Sequence, residues 1–213
     1  MKHFLLAAAL VVVPVAAKAE MTPIAQMPAG VYELDKTHAS LTWKVSHLGL
    51  SDYTARFNTF DASLTLDPAN ITQSSVNVTI SPLSIETDYP NADEKDFDKK
   101  LTEGEDWFNV GAFPEITFAS TAIEQTGENT GKVTGDLSLL GVTKPVTLDV
   151  VFNGAYESKP FANVPAVGFS ATGTIKRSDW GFDTYVPTIG DEVELLIEVE
   201  FEKPVAPGDT VNE

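Results

Sequence analysis

Apolar residues recur at every second position through most of this chain. Leu41, Trp43, Val45 and His47 share one parity, against Thr42, Lys44 and Ser46 on the other. The same period returns in Val76, Val78 and Ile80, in Val133, Leu137 and Leu139, and in Val146, Leu148, Val150 and Phe152. Val167, Phe169, Ala171 and Ile175 repeat it, and Val193, Leu195, Ile197, Val199 and Phe201 alternate with a comb of glutamates. A period of two with one apolar face specifies antiparallel strands that are wet on one side. Turn signals at Asp67-Pro68, Gly127 to Gly131, Leu140-Gly141 to Pro145, Asn153-Gly154 and Thr188 to Asp191 part these runs. The pattern gives about eight or nine strands, an all-β fold. Its one interruption, residues 91–109, places Phe97 and Leu101 at i and i+4, the spacing of a short helical insertion. Antiparallel strands in that number close most naturally into an up-and-down barrel, because closure leaves no exposed edge. A β-sandwich would use the same alternation to bury a dry core.

Ahead of the first strand, residues 1–19 have a basic start at Lys2, an apolar run from Phe4 to Val13, and Ala17-Lys18-Ala19 as a small-x-small cleavage site. These are the parts of a secretory signal peptide. Pro14 breaks the apolar stretch, which is shorter than the roughly 20 residues of a spanning helix, so no stable membrane anchor is expected. The remaining 20–213 form a chain of single-domain size. It carries 12 basic against 31 acidic side chains, a net of −19, which excludes nucleic acid as a partner. There is no cysteine, hence no disulfide and no thiol chemistry.

The histidines of this part, His38 and His47, are nine positions apart. On one extended strand they face opposite sides about 30 Å apart, so they cannot share a metal ion. His38 stands beside Thr37 just before the strand, as a hydrogen-bonded turn residue. His47 has inward parity, open to either a structural hydrogen bond or a ligand contact. The stretch 168–173 lacks the spacing of a serine nucleophile elbow. Asp96 and Asp98 open like a calcium loop, but Lys100 stands at the third ligand position and the glycine is missing. No catalytic residue, metal or cofactor is therefore expected. There are only two arginines. Arg177 has inward parity, which leaves open an internal salt bridge to Asp179 or another acid, or a place at a cavity mouth. A bulge near Asn58-Thr59 would bring Phe57 and Phe60 to one face and turn Arg56 outward.

Five ordered blocks, "YELDKTHASLTWKVSHLGLSDYTARFNTF", "SIETDYPNADEKDFDKKL", "FPEITFAS", "GDLSLLGVTKPVTL" and "GFSATGTIKRSDWGFDTYVPTIGDEVEL", resemble the YceI-like polyisoprenoid-binding proteins of the bacterial periplasm. The recurring motif of that family falls on His38, Ser40, Trp43, the run His47 to Ser51, and Phe57. Its arginine block falls on Arg177, Asp179, Trp180 and Gly181. Ala39 intervenes between His38 and Ser40, and Ala55 stands where glycine is usual. The resemblance implies a lipocalin-like extended antiparallel β-barrel holding a long-chain isoprenoid or similar amphiphilic lipid, in a periplasmic carrier with no chemistry of its own. The candidate ligand contacts are Trp43, Val45, His47, Phe57, Phe60, Leu64, Val78 and Ile80 in the first half. In the second they are Phe97, Leu101, Phe118, Leu139, Phe169, Ile175, Arg177 and Trp180. Two alternatives stand: an enzyme acting on such a lipid with His47 as acid or base, and a sandwich serving as an interaction module. Oligomeric state is undetermined, a homodimer included.

Cleavage after Ala19 should yield a mature chain beginning at Glu20 in the periplasmic fraction. Intact mass and N-terminal sequencing check it, and a membrane-bound product retaining residues 1–19 would refute it.

Overall fold

The alternating runs form eleven strands in the computed structural model, which describes residues 21–91 and 93–204. The expected signal segment 1–19 and the C-terminal residues 205–213 lie outside the described residues. In chain order the strands are β1 (Gly30–Leu34), β2 (Ser40–His47), β3 (Ser51–Phe57), β4 (Phe60–Leu66), β5 (Ser75–Ile80) and β6 (Ile85–Glu86). There follow β7 (Ile116–Gln125), β8 (Thr130–Leu139), β9 (Val142–Tyr156), β10 (Ala166–Lys176) and β11 (Ile189–Glu202). All their pairings are antiparallel.

Three pairs of these segments are single strands interrupted once. β1 and β2 lie end to end along β11, which pairs with β1 at residues 201–202 and with β2 over 189–198. Likewise β4 and β3 follow one another beside β1 and β2, and β5 and β6 beside β4 and β3. Joined so, the eleven segments make eight long strands in a meander, β7 to β11 completing it. The ring closes where Glu33 meets Glu202 and Leu34 meets Phe201. That closure decides for the barrel over the sandwich. We call the end carrying the β7–β8 hairpin upper and the end carrying the β2–β3 turn lower.

At the lower end β7 starts only at Ile116, opposite Ile80, so among the described residues β6 has no strand partner on its outer side. The segment 87–115 fills that place with α1 (Phe97–Glu103). Asp96 caps α1, its side chain accepting from the Lys99 backbone N–H at 2.8 Å, and Leu101 faces the core. Among the described residues no helix is long and apolar enough to cross a membrane.

Met27, Tyr32, Ala155, Val167 and Phe201 pack together at the upper end. Tyr32 is fully buried and donates to the Pro28 carbonyl at 2.8 Å, and burial pushes its phenol up to about 12. The break between β1 and β2 is a turn built on Asp35, which accepts from the Thr37 N–H at 3.0 Å and lies 2.7 Å from His38 Nδ1. His38 is thus the turn residue its position foretold. Lys159, from the β9–β10 loop, reaches Asp35 at 2.8 Å and Glu200 and Glu202 at 2.7 Å each, tying the break to β11. Burial opposes charge at Asp35, but hydrogen bonds from Lys159, Thr37 and His38 hold its carboxyl well below the usual carboxylate range.

A depressed carboxylate contributes stability above its unfolded pKa and loses it as pH falls toward the folded value. Lys159→Met should therefore cost about 2 kcal/mol at neutral pH, the scale of a partly buried charged hydrogen bond. The deficit should narrow below about pH 4, where unfolded carboxylates protonate. Denaturant titrations of both proteins across pH 3 to 7 measure it.

A candidate ligand-binding interior

Small-residue positions and parity together leave the inside of the barrel unfilled. Inward-facing Trp43, Phe60, Val76, Val78, Leu148, Phe152, Phe169, Ile197 and Val199 are only partly buried, although the outer face of the sheet is mostly polar, Val31, Val151 and Leu196 apart. The surface they keep is inside. It bounds two apolar chambers stacked along the barrel axis, of about 200 Å³ above and about 190 Å³ below. Leu41, Val78, Phe118, Leu148 and Ile197 line both, so they form a waist between them.

The upper chamber is walled by Phe60, Ala62, Leu64, Val150, Phe152, Phe169 and Ala171, with Ile24 and Ile71 over its end. Its polar lining is confined to the β7–β8 hairpin: Glu124, Gln125, Glu128, Asn129 and Thr130, all exposed, with Ser74 across from them. In the lower chamber Trp43, Val45, Phe57, Ile80, Leu101, Leu139 and Ile175 meet Trp107, Phe108 and Phe182 from the loops. Among the described residues Arg177 is the one charged residue on its wall. Gly135 lets the Phe118 ring lie against the sheet, since a Cβ there would meet that ring and the Ala119 carbonyl oxygen.

Most of the residues singled out by sequence therefore meet in this interior: Trp43, Val45, Phe57, Phe60, Leu64, Val78, Ile80, Leu101, Phe118, Leu139, Phe169, Ile175 and Arg177. Three do not. His47, expected to look inward, is exposed at the last position of β2. The ladder to β11 slips between Ile189 and Val193, and beyond Val45 the strand has reached the rim, where parity has no interior to point into. Phe97 stacks instead on Tyr53 and Tyr89, with ring centroids 6.1 and 5.1 Å away, while Leu101 of the same helix enters the chamber. Trp180 is buried behind the lower wall and donates its indole N–H to the Leu137 carbonyl at 3.2 Å.

Arg177 lines the lower chamber, and the salt-bridge alternative is corrected: its partners are backbone carbonyls. It opens a 3-10 turn, Arg177–Trp180, and is 6% exposed. Its Nε donates to the Gly190 carbonyl at 2.8 Å, one terminal nitrogen to Phe182 at 2.8 Å, and the other to Thr184 and Ile189 at 3.0 Å each. Asp179 pairs with Lys144 at 3.2 Å instead. Burial lowers the arginine's pKa from its ordinary value, countered by the fields of Asp191 and Asp183. The guanidinium is thus a clip for the β10–β11 loop, made of carbonyl oxygens rather than an ion pair. Arg56 does point outward, to Glu86 and Asp88 at 2.9 Å each, with strand structure interrupted at Asn58-Thr59.

Leu41, Val133, Leu148, Ile197 and Val199 were legible by parity but not selected. Trp107 and Phe182 come from loops, where no period marks a residue as inward, and Ile189 opens β11 beyond the slip in its ladder. Ligand atoms of Asp35, His38 and Glu200 lie within 4.8 Å of one another, a spacing that suits a metal ion. The Lys159 ammonium already bridges two of these three groups, Asp35 and Glu200.

The YceI-like domain family matches residues 32–201. A UPF0312 protein of Pectobacterium carotovorum is 40% identical over 174 residues, 81% of this chain and 86% of that one. The crystal structure of a Campylobacter jejuni YCEI protein superposes with a TM-score of 0.65 at 31% identity, covering 75% of this chain and 90% of that one. Burkholderia cenocepacia BcnA superposes at 0.66 with 24% identity, over 78% and 98%. A polyisoprenoid-binding domain from Saccharophagus degradans shares the fold at 0.59 with 16% identity, over 81% and 98%.

Arg177→Leu should lower stability by about 3 kcal/mol, because four carbonyl oxygens lose their donor at once. Arg177→Lys should not restore it, since an ammonium cannot reach the same fork of acceptors. His47→Ala should change stability by less than about 0.5 kcal/mol, as at other exposed sites. Chemical denaturation of the three variants tests all of these.

Proposed function

Because the chain belongs to the YceI-like family, we propose that it is a periplasmic carrier holding the hydrocarbon chain of an isoprenoid or similar amphiphilic lipid inside the barrel. The observation that carries this reading is the pair of apolar chambers joined at a shared waist. A cavity of about 150 Å³ lined by aliphatic residues stays dry and accepts an apolar guest. Each chamber here is larger. The polyisoprenoid-binding Saccharophagus domain, built on the same fold, supports a prenyl chain as the guest.

The energetics suit such a guest. Burying one five-carbon unit yields about 4 kcal/mol gross, at about 0.8 kcal/mol per carbon group. Micromolar affinity needs about 8 kcal/mol net. A few units filling both chambers meet that requirement after the costs of ordering the chain.

The enzyme alternative rested on His47, which stands outside both chambers. Among the described residues the titratable lining consists of Glu124 and Glu128 on an exposed hairpin and Arg177, whose donors serve backbone carbonyls. Binding without turnover is what this lining supports.

Val78→Trp places an indole in the waist and should lower the affinity for a long polyprenol at least about tenfold. A short prenyl chain that fits one chamber should be spared. Native mass spectrometry of the delipidated protein with each lipid measures both, and circular dichroism verifies the fold against the usual cost of overpacking, about 1–3 kcal/mol. Equal affinity for both lipids in the variant would refute a chain threaded through the waist.

A further inference from the structure

We infer that the guest enters tail first, with its chain end in the lower chamber and an uncharged, oxygen-bearing head group at the β7–β8 hairpin. This rests on the carrier reading and adds the chemistry and direction of the ligand. An amphiphile needs one polar place in an apolar site, and the interior offers two unlike ends. At the upper end Glu124, Gln125, Glu128, Asn129 and Thr130 line the chamber where it reaches solvent. Their amides and hydroxyl both donate and accept hydrogen bonds, as an alcohol, amide or quinone oxygen requires.

The same place is hostile to an anion. Among the described residues no lysine, arginine or histidine lines the upper chamber, whereas two carboxylates do. Lys132 of the same hairpin is turned outward, 2.5 Å from Asp149. A phosphate head would be set against two like charges with no basic partner, inside a protein whose net charge is already −17 before any cleavage.

The lower end is the wrong place for a head group despite its arginine. The Arg177 guanidinium already makes four hydrogen bonds to carbonyls of its own loop. Trp43 Nε1 has no hydrogen-bond partner, but the atom is fully covered, so it is not presented to the chamber. Everything else on that wall is apolar, and a polar head buried there would lose its water without replacement.

The protein carries its own ruler for orientation. It has three tryptophans, of which Trp43 and Trp107 line the lower chamber and Trp180 packs just behind it. A nitroxide or bromine at the chain end of a bound polyprenol should quench their fluorescence strongly, and one beside the hydroxyl weakly. In parallel, the delipidated protein is titrated with a polyprenol and a polyprenyl phosphate of equal chain length. The alcohol should bind at least about tenfold more tightly at low ionic strength, and the gap should shrink with salt as screening sets in over about 8 Å. Glu124→Lys combined with Glu128→Lys should reverse the preference, and both residues are exposed, so the fold is retained. Stronger quenching by the head-side label, or phosphate binding as tightly as the alcohol, would overturn this inference and leave the carrier reading standing. Failure of both lipids to bind would overturn the carrier reading itself and this inference with it.

Discussion

Everything in this molecule depends on one short ladder, the meeting of β1 with the end of β11 at Leu34 and Phe201. An antiparallel sheet with one apolar face can hide that face by packing on a second layer or by rolling up. Rolling up removes both free edges at once and needs no second layer. It also creates an inside whose volume is set by strand number, not by how many side chains are available to fill it. Lys159 reinforces the seam from outside by binding Asp35, Glu200 and Glu202 across it. A chamber for a guest is a consequence of closing the sheet.

Alternation was sufficient to read the strands, because burial on one face imposes period two on any sequence that forms them. It was also sufficient for most of the chamber wall, where the strand is regular and parity alone decides orientation. It failed where regularity ends. His47 obeyed the parity of β2 yet stands at the rim, past a slip in the ladder that leaves no local mark in composition. Arg177 obeyed the parity of β10 but sits in the turn after it, among carbonyls contributed by residues 182 to 190. A guanidinium satisfied by backbone cannot be foreseen by searching for a carboxylate. Phe97 and Trp180 were expected as ligand contacts, and which side of a wall an apolar side chain fills is a matter of packing.

Outside and inside divide the chemistry sharply. The glutamates of β11 and the other acidic side chains keep the outer face in water, while valine, leucine and phenylalanine of the same strands face the chambers. A single strand thereby faces water with one set of residues and bounds the chambers with the alternate set. Substitutions on one set leave the other largely untouched, as distant sites that share no partners generally do.

The interruptions at 35–39, 58–59 and 81–84 fall side by side on adjacent strands. Together they form a crease across one flank of the barrel. Parity restarts at that crease, which is why Phe57 faces the lower chamber and Phe60 the upper one although three positions part them. The barrel is in effect two rings stacked on a common axis, each with its own phase on the creased side. Adding or removing a pair of residues in one ring would lengthen or shorten its compartment without rotating the side chains of the other. Capacity for longer or shorter guests is thus a modular property of this architecture, adjustable in one half at a time.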